Sequence, residues 1–186
     1  GIPGIWGYKL YDRDSVSYRG IYMDCVRAVD FLCSRKEVDG RHIGVKGGSQ
    51  GGGLALATSA LCHDKISALA YFDPFPCDMR HQIRIRTICE TELKNSLAYY
   101  GNPCTFADVM KIQDLTDALP FAMKISCPTL YTAALRDDDC PVHGGFTAYN
   151  MIKSPKKYII FPNDGHIEGF THDSIIMEWL DNTLKK

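Results

Sequence analysis

The sequence predicts an α/β protein, a mostly parallel β-sheet with helices on both faces, built by a single domain spanning residues 1–186. Three observations predict it. Short apolar runs alternate with stretches of helical periodicity, the pattern of strands joined by crossover helices. One of those runs ends in a glycine-rich turn, Gly47-Gly48-Ser49-Gln50-Gly51-Gly52-Gly53, that opens directly into a helix-forming segment. A single polar, helical stretch, 77–123, interrupts the alternation; it is far longer than the roughly 2–6 residues of an ordinary strand-to-helix loop.

The elements follow in order. Gly1 to Tyr11 is rich in glycine, proline and aromatic residues and reads as a loop. Asp14 or Ser15 stands where it can cap a first helix. Within that helix Tyr22, Cys25, Val26, Val29, Leu32 and Cys33 recur on one face, with Asp24, Arg27, Asp30 and Arg35 off it. Asp39-Gly40 ends the segment. The first strand, His42 to Lys46, runs into the glycine-rich turn, and Leu54 to Leu61 is helical. Ser67 to Phe72 is a second, buried strand, broken by Asp73-Pro74-Phe75-Pro76. The 77–123 stretch, with its own break at Gly101-Asn102-Pro103, is expected to be a helical insertion over the site. Pro128 sets off a third strand, Thr129 to Leu135, and Phe146 to Ile152 is helical. Ser154-Pro155 leads into a fourth strand, Lys157 to Phe161. The last helix runs from about His172 to Leu184, with Ile175, Ile176, Trp179 and Leu180 as its apolar side.

Charge and composition narrow the function classes. Twenty-one basic and 22 acidic residues leave a net charge of −1, and no basic run exceeds Lys156-Lys157 or the final Lys185-Lys186. Nucleic acid and anionic membrane are therefore not expected as partners. No apolar segment has the length of a membrane span, and no signal-peptide pattern is present. Hydrophobic residues, 45% of the chain, suffice for a core. None of the eight cysteines is spaced C-x-x-C, so neither a zinc site nor a dithiol motif is expected, and no cofactor or metal is implied. Buried free thiols in a reducing compartment, the cytoplasm, are the expectation.

The glycine-rich turn carries the chemistry. Gly47-x-Ser49-x-Gly51 between a strand and a helix fits the nucleophile elbow of α/β-hydrolases, whose sharp turn holds the serine in a strained conformation with Oγ clear of the sheet. The dinucleotide fingerprint fails because Ser49 occupies its second glycine, and the phosphate loop fails for want of Lys-Ser or Lys-Thr. The amide of Gln50 is the natural first donor of an oxyanion hole. In this fold the acid and then the histidine follow the serine, each beyond a strand's C-terminal end. The third strand delivers Asp137, Asp138 and Asp139, and the fourth delivers Asp164-Gly165-His166. A serine hydroxyl is un-ionised near neutral pH and needs a base. Imidazole titrates in that range, and a carboxylate fixes its tautomer. Spacing alone does not choose among the three aspartates. His143 and His172 are weaker candidates for the base, and His42, His63 and His81 precede the acid, the wrong order. Glu168 lacks a matching His/Asp set for a metal.

Three stretches together resemble the carbohydrate esterase family 7 acetyl xylan esterases, also called cephalosporin C deacetylases. They are Tyr18-Arg19-Gly20-Ile21-Tyr22-Met23-Asp24-Cys25-Val26-Arg27-Ala28, the Gly47–Gly53 run, and Phe146-Thr147-Ala148-Tyr149-Asn150. The resemblance implies Ser49 as nucleophile. It selects Asp137, through Ala134-Leu135-Arg136-Asp137, as the acid within hydrogen-bond reach of His166 Nδ1, and it implies His166, through Gly165-His166, as the base. It also implies a pocket around Pro74, Phe75 and Asp139, acetylated xylo-oligosaccharides or small acetyl esters such as cephalosporin C as substrates, and a homo-oligomer, in that family a hexamer. The chain departs from the pattern at Ile167, where glutamate is usual (Glu168 comes one place late), at Asp139, where an apolar pocket residue is usual, and near Cys89 and Glu90, where a proline is missing. The family's four strands ahead of the elbow strand and its Arg-Gly-Gln motif are not in this sequence. The elbow strand is therefore expected to be an edge, and the second oxyanion donor, a tyrosine in the family, has only Trp6 and Tyr8 as candidates. On that expectation either a partner segment covers the elbow strand or the chain alone has weak or no activity; the rival readings are an α/β-hydrolase of another substrate class, dienelactone- or peptidase-type, and a non-catalytic hydrolase-fold fragment or interaction module.

Overall fold

The structure, a computed structural model, describes residues 7–85, 87–166 and 171–185, and of 87–89 the backbone only. Four strands, β1 (Ile43–Gly48), β2 (Ile66–Phe72), β3 (Thr129–Ala134) and β4 (Lys156–Phe161), form one parallel sheet in the order β1-β2-β3-β4. The helices are α1 (Ser17–Ser34), α2 (Gln50–Leu61), α3 (Met79–Ile85), α4 (Thr87–Tyr99), α5 (Phe106–Thr116), α6 (Val142–Met151) and α7 (Asp173–Leu184), with a 3₁₀ helix at Leu119–Lys124.

The period of two along β2 and β3 sorts the core into two layers. Ala68, Ala70 and Phe72 of β2 and Leu130 of β3 face Ile176 and Leu180 of α7. Leu69, Tyr71, Tyr131 and Ala133 face Leu56 and Ala60 of α2 and Ala148 and Ile152 of α6. Both central strands are thus covered on both faces, which is why they read as continuous apolar runs. Helix α2 lies between the sheet and α1. It is buried almost all round, and its small residues let neighbours approach: Ala57 packs against Tyr18 and Tyr22 of α1.

The periodic face of α1 holds only in part. Tyr22 and Val29 are buried and Cys25 and Val26 half-buried, but Leu32 is 40% exposed and Cys33 is exposed as well. The contact with α2 and the sheet ends near Val29, so the last turn extends past the surface that would cover it. The cap differs too. Val16 holds the N-cap position without a side-chain bond, because Asp12 has already engaged the Asp14 amide and the Ser15 hydroxyl. Ile175 of α7 is 39% exposed, off the buried stripe of Ile176 and Leu180. Cys62, Cys77, Cys127 and Cys140 are buried and Cys25 and Cys104 half-buried; these six and Cys33 are free, and the Cys89 side chain lies outside the described residues. Among the described residues no helix is long and apolar enough to cross a membrane.

The insertion comprises α3, α4, α5 and the 3₁₀ helix, with a core of its own. Met79, Ile83, Leu93, Val109 and Met110 close over Leu10 and Val16 from the opening segment. Helix α5 starts at a capping box in which Thr105 and Asp108 bond reciprocally, and Gly101, at φ 59°, makes the turn between α4 and α5. Both ends of the insertion are tied at one buried carboxylate. Asp117 accepts hydrogen bonds from the amides of Asp78 (2.9 Å), Met79 (2.7 Å) and Leu119 (2.8 Å). Burial pushes its carboxyl above the usual range, against the three amides that favour its charge. Asp117→Ala would leave those amides without their acceptor at a cost of about 1–3 kcal/mol each, so the unfolding free energy in urea should fall by about 3 kcal/mol or more. Asp14→Ala, which removes the exposed pair with Arg19, should change it by less than about 1 kcal/mol. Equal effects from the two variants would show that Asp117 is not the tie.

Candidate active site

Ser49 ends β1 and begins α2 at φ 54°, ψ −125°, a backbone conformation that a residue with a Cβ seldom adopts. Such strain costs on the order of 1–3 kcal/mol and persists only where the surroundings over-determine it. Here they do. The Ser49 amide donates to the Phe72 carbonyl at 3.1 Å. The Ser49 carbonyl accepts from the amides of Gly52 (2.9 Å), Gly53 (3.2 Å) and Phe75 (2.9 Å). A Cβ on Gly47 would stand 2.1 Å from the Gly51 carbonyl oxygen, and one on Gly53 would stand 2.3 Å from that of Phe75. Gly51 differs, since a Cβ there would meet nothing within 4 Å. Gly47, Gly52 and Gly53 are needed for close backbone approach, and Gly51, the last of the G-x-S-x-G set, is not.

The turn aims Ser49 Oγ at the loops beyond β3 and β4. His166 Nε2 lies 2.9 Å from Ser49 Oγ, and His166 Nδ1 lies 2.7 Å from Asp137 Oδ2. The other Asp137 oxygen, Oδ1, accepts from the amides of Asp139 (2.8 Å) and Cys140 (2.7 Å). Asp137 is buried and His166 partly so. Asp138 and Asp139 have exposed side chains. A buried carboxylate, an imidazole and a hydroxyl therefore form one hydrogen-bonded line, in which the ring can take the hydroxyl proton at Nε2 while Nδ1–H stays on the carboxylate.

Gln50 is the first residue of α2, where a backbone N–H has no intrahelical acceptor. Its side chain donates from Nε2 to the Tyr18 hydroxyl at 3.0 Å. Burial pushes that hydroxyl up to about 12, opposed by the bond to Gln50. Pro74 is buried, with its Cα where a Gly52 Cβ would meet it at 3.0 Å, and Phe75 is half-buried against the insertion core. Tyr8 is 40% exposed and meets Tyr100 edge-on at 5.6 Å. Trp6, Ile167, Glu168 and the Cys89 side chain lie outside the described residues, while Glu90 pairs with Lys94. Four of the other five histidines are engaged elsewhere, and His63 is exposed. His42 bonds Asp39 at 2.8 Å, His172 bonds Asp164 at 2.8 Å, and His143, 3.0 Å from Asp78, stacks on His81.

Two neighbours of the line escape the sequence pattern. Cys140 puts a buried thiol beside Ser49; burial, then the Asp137 charge, pushes it up to about 12, opposed by the hydrogen bond to Ser49. Asp73, legible only as a strand-breaking Asp-Pro, is fully buried at φ 42°. One ligand atom from each of Asp73, Asp137 and His166 lies within 4.8 Å of the others. Burial, then the Asp137 charge, pushes the Asp73 carboxyl up to about 8. Concavity gives no guide to the site: a groove of about 570 Å³ between α1 and the end of α5, lined by Arg19, Tyr22, Leu115 and Phe121 among others, holds none of Ser49, Asp137 and His166.

The family model described as "Acetyl xylan esterase (AXE1)" matches residues 5–183. The acetyl esterase Axe7A of Xylanibacter ruminicola is 32% identical over 95% of this chain and 39% of its own length. Among solved structures, the acetyl xylan esterase from Paenibacillus sp. R4 superposes with a TM-score of 0.88 at 34% identity, over 98% of this chain and 58% of that one. Acetyl xylan esterase 1 from Thermoanaerobacterium sp. JW/SL YS485 superposes at 0.80 and 27% identity, over 97% and 58%. The chain thus spans about two fifths of that curated relative and under three fifths of these two structures.

The unequal glycines give a direct test of the turn. Gly53→Ala should lower the unfolding free energy by about 1–3 kcal/mol, the cost of forcing a methyl group into a packed site. Gly51→Ala should leave it unchanged or raise it by about 0.4–1 kcal/mol, since it only narrows the unfolded ensemble. Urea midpoints of the two variants measure the difference, and a Gly51→Ala loss equal to that of Gly53→Ala would refute this reading of the elbow.

Proposed function

This chain belongs to the acetyl xylan esterase family and has the α/β-hydrolase fold, and we propose that it is a serine esterase that removes O-acetyl groups from acetylated carbohydrate. The observation that carries the mechanism is the unbroken line from Ser49 Oγ through His166 to Asp137, at 2.9 and 2.7 Å. Acetylated xylo-oligosaccharide is the substrate class proposed from the family, and small acetyl esters of the cephalosporin C kind fit the same chemistry.

In this reading Ser49 Oγ attacks the acetyl carbonyl carbon as its proton passes to His166 Nε2. The carbonyl π pair moves onto oxygen, and the N–H of Gln50 at the start of α2 holds the oxyanion. The tetrahedral centre collapses, the C–O bond to the sugar breaks, and the leaving alkoxide takes the proton from His166. Acetyl-Ser49 remains. Water then enters, gives a proton to His166, adds to the acetyl carbon and displaces Ser49, which recovers that proton as acetate leaves. Asp137, fixed by the two amides on Oδ1, holds the imidazole in the tautomer that leaves Nε2 free to accept. Pro74, Phe75 and Asp139 are proposed to bound the acyl and leaving-group space, since they lie on the connections that meet at the elbow. A homo-oligomer belongs to the same reading through the family resemblance; a single-chain mass by light scattering would exclude it.

A fluorophosphonate ester should label one residue of the protein, Ser49. Ser49→Ala should abolish the label and lower kcat on p-nitrophenyl acetate by roughly 10⁴–10⁶. Labelling that survives Ser49→Ala would overturn the assignment of the nucleophile.

A further inference from the structure

Asp73 is a buried carboxyl for which the Ser49–His166–Asp137 line has no use. It stands at the C-terminal end of β2, between the elbow on β1 and the acid loop on β3. Its side chain is fully buried, and neither of its oxygens accepts a hydrogen bond from any donor within normal geometry. A native structure seldom leaves a buried carboxylate so unsupported, because desolvation of the charge without donors is expensive. The nearest chemistry is another carboxyl and an imidazole: Asp73, Asp137 and His166 each bring a ligand atom into one cluster no wider than 4.8 Å. The Asp73 backbone stands at φ 42°, in the left-handed region that a residue with a Cβ seldom adopts.

We infer that Asp73 is a positioning residue for the His166–Asp137 pair, carrying a proton that it donates to the Asp137 carboxylate. This rests on the esterase reading of that pair. Asp137 accepts two amides on Oδ1 and His166 on Oδ2. Two carboxylate oxygens offer about four acceptor sites, so one remains for a neighbouring acid. The protonated Asp73 satisfies itself on Asp137 and fills that last site. It thereby keeps the single negative charge of the pair on the carboxyl that faces the imidazole. Two adjacent buried carboxyls cannot both ionise at little cost, and Asp73, whose backbone amides act on it less than burial and the Asp137 charge do, keeps the proton, while Asp137 has two close amides on Oδ1. The titratable groups that act on Asp73 are Asp137 and Cys140 beyond β3, Tyr131 on β3 and His166 beyond β4. Of these, Asp137 is the one whose charge opposes ionisation of Asp73 most strongly, after burial itself.

The consequence is a pH limit on the alkaline side. Burial and Asp137 push the Asp73 carboxyl up to about 8. Below that pH the donor is present. As pH rises through it, the proton leaves, two like charges face each other, and the hold on Asp137 is lost.

The test uses the rate at which a fluorophosphonate labels Ser49, which needs no knowledge of the substrate, together with infrared difference spectra of the protonated carboxyl stretch. In the wild type the labelling rate should fall as pH rises through about 8, and a buried-carboxyl band should vanish over the same range. Asp73→Asn keeps a donor at every pH, so it should label without the alkaline fall and lack the band. Asp73→Leu keeps the volume but no donor, and should label about 10- to 100-fold more slowly at pH 7, the loss expected for one hydrogen bond to a charged group. Asn rescuing what Leu loses marks positioning rather than packing. An alkaline fall that persists unchanged in Asp73→Asn, or a wild type without the band at pH 6, overturns the inference. No labelling of the wild type at any pH overturns the esterase reading instead, and the infrared band still decides the protonation of Asp73.

Discussion

The carbonyl of Ser49 is the point on which this structure turns. It receives three amides, from the first turn of α2 and from the segment beyond β2, while the Ser49 amide is held by the carbonyl of Phe72. One residue therefore joins β1, α2 and β2, and the same bonds hold a positive φ that its side chain would otherwise avoid. The glycines around it follow from that joint. Gly47 and Gly53 are small because backbone lies where a methyl group would go, and the apolar run of α2 is small because sheet and α1 both lean on it.

Asp137 and His166 are held by a second joint, independent of the first. The Leu135 amide donates to Phe161 at 3.1 Å and the Arg136 amide to Asp164 at 2.9 Å, so the turns beyond β3 and β4 run on as a continuation of the sheet. His172 then anchors Asp164 through Nε2 and stacks on Phe161 at 3.4 Å between ring centres. Asp137 and His166 sit on two turns that cannot shift separately. The 2.7 Å bond between them thus depends little on the insertion, and the serine is the member positioned from elsewhere.

Much of this was legible in the sequence, and the rest has physical reasons for escaping it. The two central strands, β2 and β3, are buried on both faces, so their apolar runs stand out, and the order of Ser49, Asp137 and His166 follows from strands that deliver their residues at one edge. Periodicity fails where cover ends, as at Leu32, Cys33 and Ile175, because a helical stripe states what could be buried and not how far the neighbour extends. The carboxyls were the harder part. Asp73 reads as a strand-breaking turn residue and Asp117 is one polar residue within the 77–123 stretch, and their partners are distant in sequence: Asp117 reaches 39 residues back to Asp78, and Asp73 shares a cluster with Asp137 and His166. Nothing local distinguishes a solvated aspartate from one buried at a junction. Gly51 errs in the other direction, matching a motif position whose steric reason is absent in this chain.

The tie at Asp117 has a consequence for how such a chain can change. With the amides of Asp78 and Met79 at one end and of Leu119 at the other, the α3–α5 part of the insertion begins and ends at nearly one point. Closing a segment whose ends already meet costs little more when the segment grows, about 0.6 kcal/mol for each doubling of its length. Helices can therefore be lengthened, shortened or exchanged between the two ends without moving β2 or β3. The insertion is thermodynamically modular, and reshaping it leaves Ser49, His166 and Asp137 on an unaltered foundation.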